Sequence, residues 1–152
     1  METIGDFEDM LGLLDKYRVR YLIIGGLAFI YHAKPRYTKD MDLWIDPASE
    51  NVKQANKALN EFGSPYLLDP KLPDEILQLG IAPDRIDLLR HVKGIRFETA
   101  WKKRIKGQYG IAKANWIDID SLIRIKSRID NPRHQEDVRL LREIKKLHAK
   151  GL

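Results

Sequence analysis

The chain has 152 residues, 43% hydrophobic, 9% aromatic and 32% charged, which is the profile of one soluble globular domain with a heavily charged surface and argues against disorder. It has no cysteine, which excludes disulfide scaffolds, thiolate zinc sites and cysteine nucleophiles; its four histidines (His32, His91, His134, His148) match no zinc-ligand spacing, so any metal must be held by oxygen. The net charge of +5 favours a polyanionic partner such as a nucleotide or RNA, although an excess of this size is also common on plain solvated surfaces.

The opening residues Met1-Glu-Thr-Ile-Gly-Asp are acidic and carry no basic n-region, so no secretory signal is read there and the expected compartment is the cytoplasm. No apolar stretch approaches the ~20 residues that cross a bilayer. Over residues 5 to 17 the stripe Phe7, Met10, Leu11, Leu14 and Tyr17 predicts an amphipathic helix, expected to act as a lid. Tyr21-Leu-Ile-Ile is a short apolar run of strand formers that stops at Gly25-Gly26 before a helical segment, a strand, tight turn and helix in succession.

In Asp40-Met-Asp-Leu-Trp-Ile-Asp the apolar Met41, Leu43 and Ile45 alternate with Asp40, Asp42 and Asp46. That is the period of a strand with one buried face, so Asp40 and Asp42 project from the same side. Asp46-Pro47 then reads as a helix start, with Val52, Ala55, Leu59 and Phe62 at helical spacing until Gly63. From Ser64 to Ala82 the prolines break the chain into loop, with one short helical turn expected around Glu75 to Leu79.

Arg85-Ile-Asp-Leu-Leu is a third strand, and Gly110 through Trp116 holds a fourth and a fifth, with residues 95 to 106 partly helical between them. Two helices close the chain: Ser121 to Ile129, capped by Asp120, and Arg133 to Ala149 after Asn131-Pro132, packed by Val138, Leu141, Ile144 and Leu147. There is no internal repeat or low-complexity tract. The expectation is one α/β (α+β) domain over residues 1 to 152, with a core at about 18 to 118, C-terminal helices over 120 to 149, and a mixed sheet of four to five strands.

Two carboxylates at i and i+2 of a strand lie close enough to share a hard cation, and Mg²⁺ is the ion that accepts a carboxylate pair together with substrate phosphates. A glycine pair between a strand and a helix leaves backbone N–H groups and a helix N-terminus free to face a phosphate. Each feature alone is as often an ordinary solvated strand face or an ordinary turn; their order and spacing distinguish them. The stretch Ile24-Gly-Gly-Leu-Ala-Phe-Ile-Tyr-His-Ala-Lys-Pro-Arg-Tyr-Thr-Lys-Asp-Met-Asp-Leu resembles the DNA polymerase beta-like nucleotidyltransferase superfamily, in particular its minimal and toxin-type members related to abortive-infection toxins. Arg36 and Thr38 stand where that group carries Arg-x-Thr before its acids. More weakly, Lys126, Arg133 and Asp137 match its C-terminal pattern of a helical lysine followed by Arg-x-x-x-Asp.

The resemblance implies a metal-dependent nucleotidyltransferase with the fold of that name. Asp40, Asp42 and a third acid, Asp87, would hold Mg²⁺ or Mn²⁺; Gly25, Gly26, Arg36, Thr38 and Lys126 would bind the nucleoside triphosphate. Trp44, Tyr31 and Tyr37 are candidates to stack on a base, with packing as the blander alternative. Asp87 has its own alternative, an edge acid paired with Arg85 or Arg90. The acceptor, whether RNA, a protein or a small molecule, is not written in the sequence. Competing readings are a non-catalytic, antitoxin-like or regulatory partner of another protein, and an RNA-binding module using Arg139, Arg142, Lys145, Lys146 and Lys150. A phosphohydrolase lacks its His-Asp dyad, and no Gly-x-Ser-x-Gly supports serine hydrolysis.

Overall fold

The computed structural model describes residues 3–151. In chain order its elements are α1 (Gly5–Lys16), β1 (Tyr21–Ile24), α2 (Gly25–His32), β2 (Asp40–Ile45), α3 (Ser49–Phe62), β3 (Leu77–Leu79), β4 (Arg85–Leu89), α4 (Phe97–Lys102), β5 (Ile105–Tyr109), β6 (Ala112–Trp116), α5 (Ile119–Ser127) and α6 (Pro132–Ala149). The strands form one mixed sheet of order β3-β4-β2-β1-β6-β5. β1 runs antiparallel to β2 and parallel to β6, β2 runs parallel to β4, and the two edge strands β3 and β5 are antiparallel to their neighbours.

β1 sits centrally and is buried on both faces, as its unbroken apolar run requires. In β2 the alternation holds: Met41, Leu43 and Ile45 are fully buried on one face, while Asp40 and Asp42 stand half-buried on the other. Trp44 shares the acidic face but is buried, edge-on to Phe97 and donating its indole N–H to the Arg90 carbonyl at 3.2 Å.

The sheet has one strand more than expected. Residues 77 to 79 form β3 and not a helical turn, because Leu77 and Leu79 are buried on either side of exposed Gln78 and the segment pairs with β4. Likewise Ile105 and Lys106 begin β5 instead of ending a helix; Gly110, at φ +57°, turns the chain between paired Tyr109 and Ala112. Helix α5 starts earlier than Ser121 and its cap is Asp118, whose side chain accepts from the Ser121 N–H at 3.1 Å; Asp120 lies within the first turn. α6 is capped by Asn131, with Pro132 in the first turn.

α1 is not a lid. Its Phe7, Met10, Leu11 and Leu14 are fully buried and pack it against α3 and β6. The stripe on α6 buries Val138 and Leu141 but leaves Ile144 half-buried and Leu147 exposed, because the last turns of the helix run past the body of the domain. The proline-rich segment after Gly63 is pinned from two sides: Asn56 exchanges hydrogen bonds with the Leu68 backbone at 2.8 and 3.0 Å, and buried Arg90 donates to the Asp69 and Leu72 carbonyls at 2.9 and 2.6 Å. Arg90 is therefore a loop anchor and no partner of Asp87. Among the described residues no helix is long and apolar enough to cross a membrane.

Candidate functional site

The register of three strands assembles the acids. Ile24, the last residue of β1, lies opposite Asp42, and the parallel pairing of β2 with β4 sets Asp42 beside Asp87 and Asp40 beside Arg85. All four side chains thereby leave the same face of the sheet. One carboxylate oxygen from each of Asp40, Asp42 and Asp87 lies within 4.8 Å of the others.

Gly25 follows β1 immediately and opens α2 at φ +69°, a conformation that favours glycine. A Cβ at this position would collide with Asp42 Oδ2, and one on Gly26 would sit 2.8 Å from Thr38 Oγ1. The glycine pair thus lets the first turn of α2 approach the Asp42 carboxylate, a packing reason that exists beside any role in leaving room for phosphate.

Crowding shows in the proton affinities. Burial, reinforced by the neighbouring negative charges of Asp40 and Asp87, pushes the Asp42 carboxyl up to about 7. Burial also raises Asp87, against the pull of Arg85. Arg85 places Nη2 2.6 Å from Asp40 Oδ2 and contacts both oxygens of Asp87, with Nε 3.0 Å from Oδ1 and Nη2 3.1 Å from Oδ2. Among the described residues Asp42 has no ion-pair partner. Three carboxylates with one incompletely neutralising cation suit a hard divalent ion such as Mg²⁺ or Mn²⁺, which binds through oxygen and favours the deprotonated form of Asp42.

A second charged cluster closes the other side. Gly25, Gly26, Arg36, Tyr37, Thr38, Lys39, Asp40, Asp42, Lys126, Arg133 and His134 line one cleft of about 320 Å³. All five residues expected to bind nucleotide are in it, together with Asp40 and Asp42. Arg36 and Lys126 are nevertheless not free cations. Arg36 forks onto Asp137 at 2.6 and 3.0 Å and stacks over Phe29 at 4.0 Å, while buried Lys126 reaches the same carboxylate at 3.0 Å. Burial lowers the Lys126 ammonium despite that partner. Burial works to raise Asp137, but hydrogen bonds from Arg36 and Lys126 outweigh it and hold the carboxyl below its ordinary value. Two cations sharing one anion leave a net positive wall facing the glycine turn, and they tie α6 and α5 to the loop that precedes β2.

Of the three stacking candidates, Trp44 belongs to the core and Tyr31 is stacked on Trp116 at 4.2 Å between ring centroids; Tyr37, 72% exposed at the cleft, is the ring left available. The basic residues of α6 are partly neutralised, Arg139 by Glu136 and Glu143 and Lys145 by Asp120, which weakens the case for an RNA-binding face. The alternative expected for Asp87, pairing with Arg85, is present in the structure; what sequence reasoning missed is that the same guanidinium also reaches Asp40 and so joins the acid cluster. His134 was also unforeseen, and it shows no mark in sequence.

The six-stranded mixed sheet and its flanking helices match the fold of solved nucleotidyltransferases. Three solved structures carry the comparison. ANT(2")-Ia in complex with adenylyl-2"-tobramycin aligns with a TM-score of 0.56 at 14% identity, covering 95% of this chain and 93% of that one. The lincosamide antibiotic adenylyltransferase LnuA, bound to lincomycin, aligns at 0.58 and 14% identity, over 95% of this chain and 99% of its own. An antigenic nucleotidyltransferase-like protein from Paracoccidioides brasiliensis aligns at 0.52 and 14% identity, over 95% and 78%. No protein-family model matches the sequence, and no curated protein matches it.

Proposed function

We propose that this chain transfers a nucleoside monophosphate from an NTP to a hydroxyl acceptor and releases pyrophosphate. The convergence of Asp40, Asp42 and Asp87 within 4.8 Å, beside the glycine turn that opens α2, carries the proposal. Asp40, Asp42 and Asp87 would hold Mg²⁺ or Mn²⁺, which when bound neutralises phosphate charge and favours the alkoxide form of an attacking hydroxyl. The N-terminus of α2 at Gly25 and Gly26, with Thr38 beside it, would receive the triphosphate, and the net positive Arg36–Lys126–Asp137 cluster, whose two cations line the same cleft, would add long-range attraction. In the transfer the acceptor oxygen bonds to the α-phosphorus, the bridging P–O bond to the β-phosphate breaks, pyrophosphate leaves with the electron pair, and the hydroxyl proton passes to Asp87.

Two of the structural neighbours are named with antibiotic ligands, so a small hydroxyl-bearing molecule is the first acceptor class to test, ahead of RNA and protein. Membership of the toxin-type subgroup, carried by residues 24 to 43, belongs to the same proposal. The test incubates the purified chain with each α-labelled NTP, Mg²⁺ or Mn²⁺ and a cell extract, with Asp42→Asn alongside. Label transferred by the parent and lost in the variant supports the reading; absence of transfer with every NTP and fraction refutes it.

One observation favours a second reading, a nucleotide-binding partner without turnover: the Arg85 guanidinium is seated between Asp40 and Asp87. Metal-dependent nucleotide binding with no pyrophosphate released would select it.

A further inference from the structure

We infer that Arg85 is a built-in counter-cation of the acid triad, which a divalent ion must displace to reach the facing oxygens of Asp40 and Asp87. The inference rests on the reading of the triad as a metal site and specifies how that site is controlled.

Arg85 lies directly opposite Asp40 in the β2–β4 pairing and two residues before Asp87 on β4, so register and alternation send its side chain to the acids' face of the sheet. Its fork then spans both carboxylates, at 2.6 Å from Asp40 and at 3.0 and 3.1 Å from Asp87. A guanidinium holds its charge throughout the physiological range, so proton loss cannot clear the position; only movement of the side chain can. The side chain is 28% exposed, which gives it room toward solvent.

The placement has two consequences of opposite sign. Without metal, Arg85 keeps Asp40 and Asp87 together against their mutual repulsion, so the site is preassembled. When metal arrives, the same two ion pairs must break and a positive charge stands next to the incoming one, which lowers affinity. Asp42 is outside the fork and remains the open point of entry.

Mn²⁺ binding, followed by the electron paramagnetic resonance of the free ion, tests this without any turnover. Arg85→Gln is expected to bind Mn²⁺ about tenfold more tightly than the parent, because a neighbouring like charge is gone. It is also expected to melt lower in chelator and to gain more in melting temperature when Mn²⁺ is added. Arg85→Lys keeps the charge but cannot fork onto two carboxylates, and it should tighten binding only a few-fold; it serves alone if the glutamine variant does not fold. Affinities in both folded variants equal to or weaker than the parent's would overturn the inference. If instead Asp42→Asn binds Mn²⁺ as tightly as the parent, the ion is elsewhere and the underlying metal-site reading fails.

Discussion

Replacing Asp42 by Asn should stabilise the metal-free protein, and do so only as the pH rises. The Asp42 carboxyl is pushed from 3.8 to about 7 by burial and by Asp40 and Asp87. A carboxyl with a raised native value binds its proton more tightly folded than unfolded. Its contribution to stability is therefore complete below the unfolded value and is lost as pH climbs through about 7. Roughly three units at about 1.36 kcal/mol each give a loss of about 4 kcal/mol across the whole window, of which about 2–3 kcal/mol falls between pH 5 and pH 8. Asparagine cannot ionise, and its amide can replace the donor of the protonated acid. Urea unfolding of parent and variant in chelator at pH 5 and pH 8 measures the effect; the variant's advantage should be larger at pH 8 by about 2–3 kcal/mol. An advantage that is equal at the two pH values, or greater at pH 5, would refute the reasoning. The same proton must leave when metal binds, so Mn²⁺ affinity in the parent should rise with pH up to about 7 and then level off.

Other outcomes follow from the surrounding structure. Asp137→Ala removes the carboxylate that Arg36 and buried Lys126 share, and should lower stability by about 3–5 kcal/mol in urea melts; a loss under about 1 kcal/mol would contradict the burial argument. Gly25→Ala forces a side chain into positive φ and against Asp42, and should destabilise by about 1–3 kcal/mol while weakening Mn²⁺ binding. Arg139→Ala breaks exposed ion pairs, with the arginine side chain 55% accessible, and should leave the urea midpoint indistinguishable from the parent's in the same assay.

The central β1–α2–β2 unit was legible because each of its parts writes a period or a break: an all-apolar strand, a glycine pair, then strict alternation around Asp40 and Asp42. Asp87 was legible because an acid inside an apolar strand needs a partner. What escaped notice depended on pairing across the chain. β3 is three residues long, and only its contact with β4 separates it from a helical turn. Arg85 was read in sequence only as an alternative partner of Asp87, and its hold on Asp40 as well comes from lying opposite that acid in the strand pairing. Arg36 and Lys126 both line the cleft, but their shared hold on Asp137 was not visible, since Arg36 lies 101 positions from that acid. The limit on α6 was of another kind: its apolar stripe continues past the point where there is protein left to cover it.

Pyrophosphate release is the measurement that bears on the proposed reaction first. The parent should liberate pyrophosphate from an NTP only when Mg²⁺ or Mn²⁺ and an acceptor-containing extract are present, and Asp42→Asn should be slower by on the order of 10³-fold. Pyrophosphate formed equally well by the variant, or by the parent in chelator, would show that the acid triad is not where the chemistry occurs.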